Sequence, residues 1–108
     1  MNQSRLSDSL LKAATKNIRK AGDPLRIILF GSHAREDATP DSDYDFLIIE
    51  ESSERRYKRA AKYRRVLKEM RFAKDIVVWT PEEVKAWQNV PNAFITTALR
   101  EGIVLYEK

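Results

Sequence analysis

A strand-forming run, Leu25–Phe30 (LRIILF), stops on Gly31 and Ser32, and the next such run, Asp43–Ile49 (DYDFLII), opens on two aspartates one residue apart. The intervening stretch from Ser32 to Ser42 is polar and contains Pro40, so it is expected to be a loop, started by one helical turn. On a strand, side chains at i and i+2 share a face, which would send Asp43 and Asp45 to one side and Tyr44 to the other. Two carboxylates side by side repel each other. Holding them there costs stability unless a cation, an arginine or a shared proton compensates.

The rest of the chain supplies a frame for that stretch. Ser4 to Ala21 reads as an amphipathic helix with Leu6, Leu10, Ala14 and Ile18 on one face, and Gly22 stops it. Leu25–Phe30 is apolar without alternation, as expected of a strand covered on both faces. Glu54 to Arg71 lacks Gly and Pro and repeats Tyr57, Ala60, Tyr63, Leu67 and Met70 at helical spacing, which predicts the longest helix. Asp75–Trp79 (DIVVW) predicts a third strand. Thr80-Pro81-Glu82-Glu83 then predicts a helix start, with Thr80 as N-cap and Pro81 in the first turn. A further helix is expected from Asn92 to Arg100, closed by Gly102, and Ile103 to Tyr106 is either a final strand or an extended tail. Alternating helices and strands around one core predict an α/β (α+β) fold, a small mixed β-sheet with helices packed on it, as one domain over residues 1–108.

Composition excludes several classes of function. With 108 residues and 43% hydrophobic content, the chain can bury a single modest core. It has no cysteine, which removes disulfides, a thiolate nucleophile and a cysteine-rich zinc site, and points to a reducing cytoplasm. Neither a membrane-spanning run nor a secretory signal is expected. Twenty Lys and Arg against 16 Asp and Glu give a net charge of +4, a slight tilt towards phosphate-bearing ligands or an acidic partner.

Hard oxygen ligands at the start of a strand whose other face is apolar suit Mg²⁺ bound with a nucleotide, which takes one or two carboxylates plus phosphate oxygens. Gly31 fits the same picture, because a glycine lets the backbone approach a phosphate closely, and the Ser32 hydroxyl and nearby N–H groups can bind phosphate oxygens. If the strand at Asp75 lies beside the strand at Asp43–Ile49, Asp75 completes a three-carboxylate site. As metal ligand or general base it would help activate an attacking hydroxyl. Taken singly, Gly-Ser is an ordinary turn, Asp-X-Asp an ordinary solvated strand entry, and Asp75 uninformative. Their order along the chain is what makes them specific.

GSHAR followed by DSDYDFLI resembles the nucleotidyltransferase superfamily that includes DNA polymerase β and kanamycin nucleotidyltransferase. The resemblance is greatest to its minimal nucleotidyltransferases, the MntA-like antitoxin proteins, and extends from Leu25 through the strand at Asp75. It implies the polymerase β-like nucleotidyltransferase fold, with Gly31, Ser32 and Arg35 as nucleotide-binding residues and Asp43, Asp45 and Asp75 as catalytic Mg²⁺ ligands. It further implies transfer of a nucleoside monophosphate, AMP from ATP, to a hydroxyl of a partner protein, with the chain serving as antitoxin to a HEPN-domain toxin. Two positions depart from the frequent pattern Gly-Ser-Arg-Ala-Arg-Gly: His33 stands for the first Arg and Glu36 for the last Gly. A neutral histidine lacks the permanent charge and forked donors of arginine, so phosphate affinity and loop shape are affected more than metal binding.

Other residues admit functional and plain readings. His33 is either a triphosphate contact or a solvated loop residue, and Arg35 is the better candidate for neutralising phosphate charge. The segment from Glu54 to Arg71 carries nine Lys and Arg residues, which form either a solvated face or a surface for an acidic partner or RNA. Tyr57 and Tyr63 are expected in the core or at its boundary, and Trp79 and Trp87 in the core or at an interface. A domain this small has little surface left for an acceptor, so it is expected to borrow that site from another subunit or from the protein it modifies. Two alternatives compete with the enzymatic reading: a catalytically weak or inactive module that neutralises its partner by contact, and an RNA-binding module.

Overall fold

The computed structural model describes residues 2–108, with side chains from position 8 onward. Helix α1 (Asn2–Ala21) leads into strand β1 (Arg26–Phe30), a single helical turn α2 (Ser32–Arg35) and strand β2 (Tyr44–Ile49). Two short helices, α3 (Arg56–Arg59) and α4 (Ala61–Leu67), precede strand β3 (Lys74–Trp79). Helices α5 (Pro81–Trp87) and α6 (Phe94–Glu101) then lead to strand β4 (Ile103–Glu107). The strands form one four-stranded sheet in the order β3-β2-β1-β4. Strand β1 runs antiparallel to both neighbours, and β2 and β3 are parallel. This is the mixed α+β arrangement expected from the sequence, and β1 lies at the centre, as its unbroken apolar run predicts. The Ile103 segment is a strand rather than a tail, and it forms the sheet edge beyond β1.

Period-two alternation along the strands divides the core into two layers. Ile27, Leu29, Phe46, Ile48, Ile76 and Val78 pack under α1 and α4, where Ala14, Ile18, Tyr63 and Leu67 are buried. Ile28, Leu47, Ile49 and Trp79 face the other way, against Val84 of α5 and Ile95 and Ala98 of α6. Each fully buried aliphatic side chain contributes roughly 1.5–3 kcal/mol. Leu6, assigned from the sequence to the α1 face, lies outside the described side chains.

Three expectations need correction. The long helix from Glu54 to Arg71 is broken at Ala60 into α3 and α4, because its halves follow different partners. The buried Arg59 fastens α3 to β3 and α5 through Val78 O (3.3 Å) and Glu83 (2.6 Å), while α4 packs on α1. Lys74 then ends the segment by donating to Met70 O and Phe72 O, both at 2.8 Å. The helix expected from Asn92 starts at Phe94, since Asn92 takes a left-handed backbone (φ 64°) that no helix interior accepts. Tyr57 is 70% exposed instead of at the core boundary, whereas Tyr63 is fully buried. Trp79 is buried and Trp87 is half exposed at the surface.

The start of α5 follows the sequence closely. Glu83 N–H donates to Thr80 Oγ1 (3.2 Å) and Thr80 N–H donates back to Glu83 Oε1 (2.9 Å), a reciprocal capping box with Pro81 in the first turn.

Candidate functional site

Strand pairing brings the candidate carboxylates together. In the parallel ladder Asp45 of β2 stands opposite Asp75 of β3, so both side chains project to the sheet face that carries Leu47, Val77 and Trp79. Asp43 falls one residue before β2 and is exposed. Its charge nevertheless reaches Asp45, whose carboxyl it helps to raise. Asp45 is half-buried, and its carboxyl is raised above the ordinary range by burial first and then by the charges of Asp75 and Asp43; His33 and Arg35 pull it part of the way back.

Gly31 closes the other side. Its φ of 77° lies in the region that glycine adopts without strain, and a Cβ placed there would overlap the Asp45 carboxylate. The glycine is therefore required twice, by its backbone angle and by the carboxylate beside it. From Gly31 the chain turns at once: its carbonyl accepts the N–H groups of Ala34 (3.0 Å) and Arg35 (3.1 Å), and Ser32 O accepts that of Asp37 (3.1 Å). The turn ends on Glu36, at φ 64° and ψ 26°, the left-handed position where the related pattern has glycine.

The remaining loop is held by its own polar groups. Thr39 N–H donates to Ser42 Oγ (2.9 Å), Ser42 N–H donates to Thr39 O (3.0 Å), and the chain is delivered to Asp43. His33 neither points into solvent nor stands free beside the carboxylates. Its ring stacks on Tyr44 (centroids 3.6 Å apart, 9° between planes), and Nε2 lies 3.2 Å from Ser42 O, so it pins the loop to the entry of β2. Arg35 is engaged as well, with Asp37 at 3.1 Å and Glu101 at 3.5 Å, and these carboxylates, Asp37 foremost, raise its pKa.

The donor set fits a hard divalent cation: half-buried and exposed carboxylate oxygens that repel one another at the end of two adjacent strands, beside a glycine that leaves space for a close approach. Among the described residues, no group of three or more His, Cys, Asp or Glu side chains already converges as a metal cage.

Sequence reasoning missed two sets of residues. Tyr44 anchors His33, but the partners are separated along the chain and only the β2 entry brings them together. Glu50, Tyr63 and Lys62 form a buried polar cluster at the opposite end of β2. Tyr63 donates to Glu50, Lys62 pairs with it at 2.9 Å, and Asp23 N–H adds a further bond at 3.0 Å. The absent Cβ of Gly22 makes room for these groups. An acidic residue just beyond an apolar strand was the one available signal.

A strand-turn-strand unit presents Asp45 against Gly31, with Asp75 alongside on a parallel third strand. The chain belongs to the nucleotidyltransferase domain family, which it matches over residues 10–104. Among solved structures it is similar to a chain from the crystal structure of a toxin-antitoxin with AMP-PNP. The two are 15% identical, with a TM-score of 0.65, over 91% of this chain and 73% of that one, a likeness of fold. No curated protein sequence matches the chain. No helix among the described residues is long and apolar enough to cross a membrane.

Proposed function

We propose that the chain is a Mg²⁺-dependent nucleotidyltransferase that moves AMP from ATP to a hydroxyl of a partner protein, a HEPN-domain toxin, acting in the cytoplasm as its antitoxin. Membership of the nucleotidyltransferase family supports the chemistry, and the fold shared with a chain crystallised as a toxin-antitoxin with AMP-PNP supports the partner class and the nucleotide. The observation that carries the reading is Asp45, held between Asp75 on the adjacent strand and Gly31, with its carboxyl raised first by burial and then by its acidic neighbours.

In this reading Asp43 and Asp45 bind the metal with the triphosphate, and Gly31, Ser32 and Arg35 position the phosphates. Mg²⁺ supplies charge neutralisation and alignment of the α-phosphate. The exposed Asp75 holds the acceptor hydroxyl and takes its proton while the hydroxyl oxygen bonds to the α-phosphorus. The bond from that phosphorus to the bridging oxygen breaks, and pyrophosphate leaves with the electron pair.

The test is transfer of label from each of the four NTPs, carrying it on the α-phosphate, in the presence of Mg²⁺ and the co-encoded partner. Wild type is expected to label the partner, with ATP preferred. Asp45→Asn is expected to transfer nothing while unfolding at no lower temperature, since it removes like-charge repulsion worth up to about 1 kcal/mol. Equal labelling by wild type and Asp45→Asn would overturn the reading.

A contact-only module is favoured by one observation: Arg35 is turned onto Asp37 and Glu101, and His33 onto Tyr44, so neither donor stands free. That reading requires the double variant Asp43→Asn/Asp45→Asn to neutralise the partner as well as wild type does.

A further inference from the structure

Part of the basic charge between Glu54 and Lys74 is engaged in ion pairs. Arg59 and Arg56 pair with Glu83 at 2.6 and 3.3 Å, Lys62 pairs with Glu50 at 2.9 Å, and the Arg56 guanidinium lies 4.5 Å over the Trp79 ring. Arg64, Arg65 and Lys68 of the α4 segment are exposed and, among the described residues, form no ion pair. They rim one cleft of about 550 Å³ whose floor includes Phe72, Lys74 and Ile76.

The floor of that cleft is a sheet edge. Strand β3 is terminal in the order β3-β2-β1-β4. Tyr44 N–H donates to Ala73 O at 2.9 Å and Glu50 N–H to Trp79 O at 3.0 Å, so the odd-numbered residues of this segment turn their backbone groups to β2. The even-numbered ones turn outward, as the Arg59 guanidinium on Val78 O at 3.3 Å bears out. Lys74 and Ile76 thus present their backbone N–H and C=O groups along the open edge, with side chains towards α4, while Asp75 between them faces the opposite side of the sheet.

We propose that this cleft binds an acidic, extended segment of the acceptor protein as a strand added along Lys74–Ile76. Alternation continues across an added strand. Acidic side chains on one face would meet Arg64, Arg65 and Lys68, and a hydroxyl-bearing side chain between them would emerge on the Asp75 face, one strand spacing away, about 4.8 Å. The recognised pattern is a hydroxyl residue flanked on both sides by carboxylates. The inference rests on the nucleotidyltransferase reading only for calling that hydroxyl the acceptor. A nucleic acid fits less well, because Phe72, the aromatic ring in the cleft, has the Lys74 ammonium 4.3 Å over it and T-shaped contacts to Tyr44 and Phe46, so bases would compete with these for it.

The test is an amide NMR titration of the intact protein, without nucleotide or Mg²⁺, using the peptide Glu-Tyr-Glu-Tyr-Glu-Tyr-Glu. Its lysine-for-glutamate counterpart and a single-stranded oligoribonucleotide serve as comparison ligands. The acidic peptide is expected to shift the Lys74 and Ile76 amides and slow their exchange with solvent. Affinity is expected to fall roughly ten-fold or more in Arg64→Gln/Arg65→Gln/Lys68→Gln, whose exposed side chains leave the core untouched. No binding, equal binding of the lysine peptide, unchanged affinity in the variant, shifts confined to other amides, or tighter binding of the oligoribonucleotide at this edge would each overturn the proposal. Because no nucleotide is present, these outcomes are independent of whether label transfer occurs.

Discussion

Glu36 sits at φ 64° and ψ 26°, where a β-carbon crowds the backbone and glycine does not. Its side chain is exposed, so little packing offsets the strain. Glu36→Gly is therefore expected to stabilise the fold by about 1 kcal/mol, read as a higher urea midpoint at unchanged slope. An equal or lower midpoint would mean that the turn relaxes away from this geometry. The departure at His33 has a different physical content. The ring is held flat against Tyr44 and bonded to Ser42 O, so the side chain exchanges a permanent charge at the loop for a fixed loop geometry. The pairing of Gly31 with the Asp-X-Asp strand entry was visible in sequence as an order of residue types, and the placement of Asp75 beside Asp45 needed the fold. The engagement of His33 and Arg35 needed it too, since their partners at Tyr44 and Glu101 meet them only through the fold.

At the scale of elements, local chemistry and distant contacts separate cleanly. The capping box at Thr80 and Glu83 and the central position of β1 follow from short-range signals, whereas the parallel pairing of β2 with β3, some thirty residues apart, is a product of the fold. The break at Ala60 is another, because the helical periodicity from Tyr57 to Met70 is sound and only the pull of Arg59 towards β3 and α5 interrupts it. Arg59 is 8% exposed and bonds Glu54 O, Val78 O and both oxygens of Glu83. Truncating it would remove the side-chain donor from Glu54 O and Val78 O and leave Glu83 only Arg56 and the Thr80 N–H. Arg59→Ala is accordingly expected to cost about 3 kcal/mol in chemical denaturation, far more than removal of an exposed arginine such as Arg64. A loss below about 1 kcal/mol would show that water replaces the guanidinium, and that α3 is not fastened in this way.

For the whole molecule, acid should loosen what Arg59 and Glu83 hold together. Burial pushes the Glu83 carboxyl up, but hydrogen bonds from Arg59, the Thr80 backbone and Arg56 outweigh it and bring the pKa down from 4.5 to about 2. A carboxyl depressed in the folded state stabilises the fold above its unfolded pKa, and that contribution is lost as pH falls through the folded value. Stability is expected to drop between about pH 4.5 and 2, with Glu83→Gln showing a shallower decline over the same window in urea melts. Parallel slopes would assign acid unfolding to other groups. Asp45 acts with the opposite sign, since its raised carboxyl is relieved by protonation. The overlap between an imagined Gly31 Cβ and the Asp45 carboxylate reaches beyond energetics. A lineage that keeps its chemistry inherits the two positions together, because any side chain at 31 collides with the aspartate. Even where the aspartate is replaced, the positive φ still holds position 31 to glycine.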